Sequence, residues 1–197
     1  MRLALAAAAL IFFAVPACGG ANVNPAQKPA STSTGAAMTT ASPPPATPGN
    51  FALASPAFAD NTPIPVEYSC KGRNVAPPLR WENVPTGTHS LALVVDDPDA
   101  PAGLYVHWVV AGIPPATTEI GEGALPGGAS VSPNSSGKAE YLGPCPPAGT
   151  GVHHYRFQLY ALSKPLNLPS TTPAAQAART IETTAIATAT TVGLFSS

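Results

Sequence analysis

Residues 143–162 read Gly143-Pro144-Cys145-Pro146-Pro147-Ala148-Gly149-Thr150-Gly151-Val152-His153-His154-Tyr155-Arg156-Phe157-Gln158-Leu159-Tyr160-Ala161-Leu162. The second half alternates. Tyr155, Phe157, Leu159 and Ala161 fall on one face, and His154, Arg156, Gln158 and Tyr160 on the other, the period-2 pattern of a strand with one side against a core. The first half is a stiff Gly/Pro loop that delivers a histidine to the start of that strand. Working outward, residues 90–95 and 106–111 are short β-rich apolar runs that read as buried strands. Residues 62–68 read as an edge strand, because their prolines cannot donate to a ladder. Residues 121–151 form a long Gly/Pro-rich loop, a length that in a compact domain usually carries function. Residues 173–190 predict the single helix, with Ala174, Ala177, Ala178, Ile181, Ala185 and Ala189 near helical spacing behind Thr172 and Pro173. The pattern predicts a mainly β domain, a sandwich or barrel, with a C-terminal helix.

Composition supports that class. The chain has 197 residues, 45% hydrophobic and only 10% charged, against a usual charged share of about 25%. Nine basic and ten acidic side chains leave a net charge of −1, which argues against a polybasic nucleic-acid binder and against a highly charged disordered chain. The 25 prolines argue against a helical bundle, since each one inside a helix costs about 3 kcal/mol.

The first residues read as an export signal. Arg2 precedes an apolar run over residues 3–15, shorter than the ~20 residues that span a bilayer and fitting a secretory signal over residues 1–17. The run ends in Val15-Pro16-Ala17-Cys18-Gly19-Gly20, which resembles a bacterial lipoprotein cleavage box. In that family the cysteine becomes the N-terminus and carries lipid, which would tether the chain to the outer face of a membrane through Cys18. The alternative is a plain signal cut near Ala17. Residues 18–50 have Lys28 as their only charge among Ala, Ser, Thr, Gly and Pro. They read as a disordered tether, with too little apolar surface to offset their ordering entropy. The folded domain is expected over residues 51–197. With Cys18 lipidated, Cys70 and Cys145 remain as an even pair in an oxidising compartment. Their disulfide would contribute about 4 kcal/mol in the chain-entropy model; two buried free thiols are the alternative.

Three clusters could carry chemistry. Asp96-Asp97-Pro98-Asp99-Ala100-Pro101 crowds three carboxylates that need donors or neutralisation, unless it is only a turn. His107-Trp108 lies inside an apolar run, where a satisfied core histidine is the plain reading. His153 follows the Pro loop. The sequence has no Gly-x-Ser-x-Gly, His-Glu-x-x-His or Cys-x-x-Cys spacing, so no cofactor is expected. A hydrolase or zinc enzyme built on Asp97 and the two histidines is the alternative.

Taken in order, several stretches resemble the phosphatidylethanolamine-binding proteins, also called Raf kinase inhibitor-like proteins, in their bacterial branch. They are Tyr68-Ser69-Cys70-Lys71-Gly72, residues 74–81, residues 90–101 with their Asp97-Pro98-Asp99-Ala100-Pro101, His107-Trp108-Val109-Val110, Asn134, Gly137, Tyr141 and residues 143–162. The resemblance implies a large antiparallel sheet packed on a smaller sheet, with a C-terminal helix near one end. It implies a binding protein rather than an enzyme, with a small anion pocket lined by Asp97, His107, His153 and Tyr155. Gly143 and Pro144 would lie in the loop forming the pocket wall, and Trp81 and Trp108 would be apolar neighbours. The expected ligand is a small anion or phospholipid-like head group, and the family name implies a kinase or protease partner. Two imidazoles beside a carboxylate are expected to hold protons more tightly. The chain departs from the family at His154, where Arg is frequent, and at residues 193–195 (Gly-Leu-Phe), where a tyrosine hydroxyl is frequent.

Overall fold

The computed structural model describes residues 49–197; the leader, Cys18 and nearly all of the tether lie outside the described residues. The strands are β1 (Ala52–Ala54), β2 (Thr62–Pro63), β3 (Leu79–Glu82), β4 (Ser90–Asp97), β5 (Tyr105–Ile113), β6 (Glu119–Ile120), β7 (Ser130–Ser132), β8 (Val152–Leu162) and β9 (Ala185–Ser196), with helix α1 (Ala174–Thr184) before β9. A six-stranded sheet runs β2-β9-β8-β4-β5-β7 and a three-stranded sheet runs β1-β3-β6. Pairing is antiparallel throughout except at β2–β9, a two-residue parallel contact. The fold is therefore mainly β, a large sheet packed on a small one with a C-terminal helix.

Alternation decides which side chains go where. Leu91, Leu93 and Val95 of β4 and Phe157, Leu159 and Ala161 of β8 face the small sheet, where Leu53, Leu79, Trp81 and Ile120 meet them. On the opposite face of the large sheet, Ala92, Val94, Val106, Val109, Tyr160 and Leu162 are covered by Ala174, Ala177 and Ile181 of α1. Both apolar faces of the central strands are thus covered, and β4 reads as an unbroken buried run.

Two expectations need correction. The helix expected to reach residue 190 stops at Thr184, and residues 185–196 form β9, paired along β8 from Val152↔Ser196 to Leu162↔Ala185. Ile186, Thr188, Thr190, Thr191 and Val192 are β-branched and favour the pleated sheet over a continued helix. Ala189, Thr191 and Gly193 face inward on a strand period, and a side chain at Gly193 would collide with Ile64. The expected edge strand over residues 62–68 is strand only at Thr62–Pro63, followed by a 3-10 turn at Val66–Tyr68. Pro63 and Pro65 lack N–H groups, so the ladder ends with the Ile64 N–H donating to Leu194 O at 2.8 Å.

The long loop contains β7, which edges the large sheet against β5. Cys70 and Cys145, separated by 75 residues, are joined in a disulfide that fixes the start of the Pro loop to the segment after the 3-10 turn.

Candidate functional site

One end of the large sheet gathers the chemistry. Asp97 closes β4 on the same side as Val95, facing the small sheet, while Asp96 faces the helix side with Arg156. On β8, alternation puts His153 and Tyr155 on the side of Phe157. On β5 the alternation breaks. Val95 pairs with Trp108 and Asp96 with Val106, leaving His107 as the extra residue of a β-bulge. Val106 accordingly packs on the helix side and Trp108 on the small-sheet side. His107 shares Trp108's side, its ring 5.1 Å from that of Tyr155 in an edge contact. The bulge is what turns a histidine from a helix-side position into the site.

Asp97, His107, His153 and Tyr155 line one cavity of about 380 Å³, joined by Tyr105. Its rim is apolar: Ala100, Pro101 and Ala102 on one side, Pro146 and Pro147 on the other, with Leu142 and Cys145 behind. Gly143 and Pro144 belong to the wall-forming segment but do not line the cavity. The Gly143 N–H donates to Asn74 Oδ1 at 2.8 Å, and Pro144 O accepts the Cys70 N–H at 3.1 Å. Trp81 and Trp108 lie in the inter-sheet core instead, where the Trp81 indole N–H donates to Thr117 O and Trp108 meets Tyr141 edge-on. Gly193, Leu194 and Phe195 pair with Tyr155, His154 and His153 along β9 and contribute no lining side chain.

The carboxylate crowding is resolved because each carboxylate has its own basic partner. Asp96 is clasped by Arg156, whose Nε and Nη2 donate at 2.7 and 2.9 Å. Asp97 accepts the His153 Nδ1 proton at 2.7 Å and the Asp99 N–H at 2.8 Å. Asp99 accepts both the backbone N–H and the ring Nδ1 of His154, and these bonds lower its pKa. His154 thus points away from the cavity, as strand alternation requires.

His107 behaves differently from expectation. Its Nδ1 donates to Leu142 O at 2.8 Å, so Nε2 is the unprotonated nitrogen of the neutral ring and lacks a partner among the described residues. Burial pushes its pKa below the ordinary value, outweighing the Leu142 carbonyl and the Asp97 and Asp96 charges. The expected rise in proton affinity therefore does not hold for His107: desolvation of the cation wins. Tyr155 is 1% exposed, and its hydroxyl has no partner at hydrogen-bond distance among the described residues, although the Asp97 carboxylate and the Cys145 backbone lie close enough to act on it. Burial first, and then the charge of Asp97, raise its pKa and keep the phenol protonated.

Sequence reasoning missed Tyr105 and Thr150. Tyr105 sits two residues before His107 on one strand, with ring centroids 4.9 Å apart, so period-2 spacing was a signal for it. Thr150, whose hydroxyl lies 2.9 Å from His153 Nε2, had none beyond its place in a Gly-rich turn. Among the described residues, no group of three His, Cys, Asp or Glu is arranged to hold a metal ion.

Comparison with known proteins agrees with this architecture. Residues 54–196 match the family model described as phosphatidylethanolamine-binding protein. The chain is 48% identical over 193 residues to the Mycobacterium tuberculosis protein named "Putative lipoprotein LppC", covering 98% of this chain and 94% of that one. It is 52% identical over 148 residues to UPF0098 protein Rv1910c of the same species, covering 73% and 69%. Among solved structures, Escherichia coli YbcL, titled a new member of the mammalian PEBP family, matches with a TM-score of 0.72 at 31% identity, covering 76% of this chain and 99% of that one. The Chlamydia trachomatis PEBP homolog CT736 matches with a TM-score of 0.68 at 36% identity, covering 75% and 97%. A family match across the whole folded region, carried on a shared two-sheet architecture, places this chain in the phosphatidylethanolamine-binding protein family.

Proposed function

We propose that this protein is an exported, lipid-anchored binding protein that takes a small anionic head group, phosphorylated or phospholipid-like, into the cavity of Asp97, His107, His153 and Tyr155. The single observation that carries the reading is the Tyr155 hydroxyl. A buried hydroxyl left without a partner costs about 1–3 kcal/mol, and Tyr155 and His107 are both lining residues of the same cavity. A protonated ligand oxygen (P–O–H) can accept from the Tyr155 hydroxyl and donate to His107 Nε2, which satisfies both groups. The apolar rim suits the carbon part of such a ligand, with the polar end inward. Anchoring follows from the leader and Cys18, supported by the lipoprotein name of the relative.

Calorimetric titration of phosphoethanolamine and inorganic phosphate into the purified protein tests the reading. Saturable binding that weakens about tenfold or more in Tyr155→Phe and His107→Ala is expected from loss of one ligand hydrogen bond each. Unchanged affinity in both variants overturns it.

A further inference from the structure

Both ring nitrogens of His153 are engaged inside the protein. Nδ1 donates to Asp97 Oδ2 at 2.7 Å, and Nε2 lies 2.9 Å from Thr150 Oγ1. Thr150 Oγ1 is also 2.8 Å from Pro147 O, a carbonyl on the cavity wall. The His153 ring is 1% exposed and has no remaining polar atom. We infer that Thr150 is a positioning residue of the binding site, and that His153 shapes the site through Asp97 and Thr150 while the ligand is contacted by His107 and Tyr155. This rests on the proposed reading of the cavity as a binding site.

The local backbone shows how the contact is built. Gly149 and Gly151 flank Thr150 with φ of 83° and 87°, a left-handed conformation that costs ordinary residues about 1–2 kcal/mol each. The pair turns the chain tightly enough for residue 150 to fold back over the ring three residues on. The Thr150 N–H also closes onto Pro147 O at 3.3 Å. One hydroxyl therefore ties the floor of the cavity, His153, to its wall, Pro147. Asp97 Oδ2 accepts the Nδ1–H of His153, and the single hydroxyl proton of Thr150 goes either to Pro147 O, with Oγ1 then accepting from Nε2–H, or to an unprotonated Nε2. Side chains held on both sides in this way keep a fixed geometry, the requirement for a preorganised site. His107 and Tyr155, in contrast, each keep one polar atom without a partner among the described residues.

Three proteins separate the roles: wild type, Thr150→Val, which removes the hydroxyl at nearly constant shape, and Thr150→Ser, which retains it. Imidazole nitrogen NMR on each, with phosphoethanolamine as the probe, reads both the ring and the ligand. Thr150→Val is expected to move the His153 Nε2 resonance in the free protein and weaken phosphoethanolamine about tenfold, the worth of one hydrogen bond. Thr150→Ser is expected to restore both. In the wild type, ligand is expected to shift the His107 Nε2 resonance and leave that of His153 in place. A His153 Nε2 resonance that moves with ligand as far as that of His107, or a valine variant indistinguishable from wild type in affinity and His153 signal, overturns the inference. If wild type binds no phosphoethanolamine, the ligand reading fails separately. An unmoved His153 signal in the ligand-free valine variant would then still refute the positioning role.

Discussion

Asp96 and Asp97 are consecutive residues that serve opposite faces of the large sheet. Asp96 is held on the helix side by two hydrogen bonds from Arg156 and one from Gln158 at 3.0 Å. Asp97 is held on the small-sheet side by His153. A strand's period-2 geometry makes one a structural ion pair and the other part of the cavity, although their chemistry is the same.

Asp96→Asn should therefore lower stability and leave the cavity intact. The Asp96 side chain is 5% exposed but Arg156 is 38% exposed, so solvent screening reduces the loss to about 1–2 kcal/mol. Urea unfolding measures it. A loss of phosphoethanolamine affinity with unchanged stability would contradict the assignment of the two faces.

Removing the Cys70–Cys145 bridge should cost about 4 kcal/mol in the chain-entropy model, because it closes a long loop. Its presence is checked by intact mass, which should rise by two hydrogens per chain on reduction. The paired change Cys70→Ser with Cys145→Ser should then lower the urea midpoint.

Gly143→Ala should destabilise by about 1–3 kcal/mol through overpacking. A Cβ there would fall on the Tyr68 carbonyl and within 2.9 Å of Ser69 Cα, and backbone cannot step aside as a side chain tip can. Thermal unfolding would show the loss, and wild-type stability in the variant would refute the close approach.

The buried His107 gives a pH dependence of defined sign. Its pKa is lower folded than unfolded, so the unfolded chain binds its proton more readily. Stability from this group is full above the ordinary histidine pKa of about 6.5 and is lost as pH falls from there through the folded value. Urea midpoints measured across that window should slope less in His107→Gln than in wild type. An equal slope would show that His107 is not desolvated.

Much of this was legible in the sequence where alternation is regular. The pattern of residues 154–162 placed Tyr155 correctly, and with it the neighbouring His153, because on a strand one residue's face determines the rest. His107 was recognisable only by resemblance. Plain alternation would put it opposite Trp108, and the bulge that brings both to one side depends on pairing with β4. The boundary of α1 was hidden for a related reason. Ala185 and Ala189 satisfy helical and strand spacing alike, and only the long ladder with β8 decides between them. The depressed proton affinity of His107 could not be read from neighbours in sequence, because it comes from the three-dimensional burial of a residue flanked by carboxylates.

The most direct test of the central claim is a crystal structure of the protein grown with phosphoethanolamine. The expected result is a ligand oxygen within hydrogen-bonding distance of both His107 Nε2 and the Tyr155 hydroxyl, with His153 still bonded to Asp97 and Thr150. A ligand bound elsewhere on the molecule, with the Tyr155 hydroxyl still lacking a partner, would contradict it.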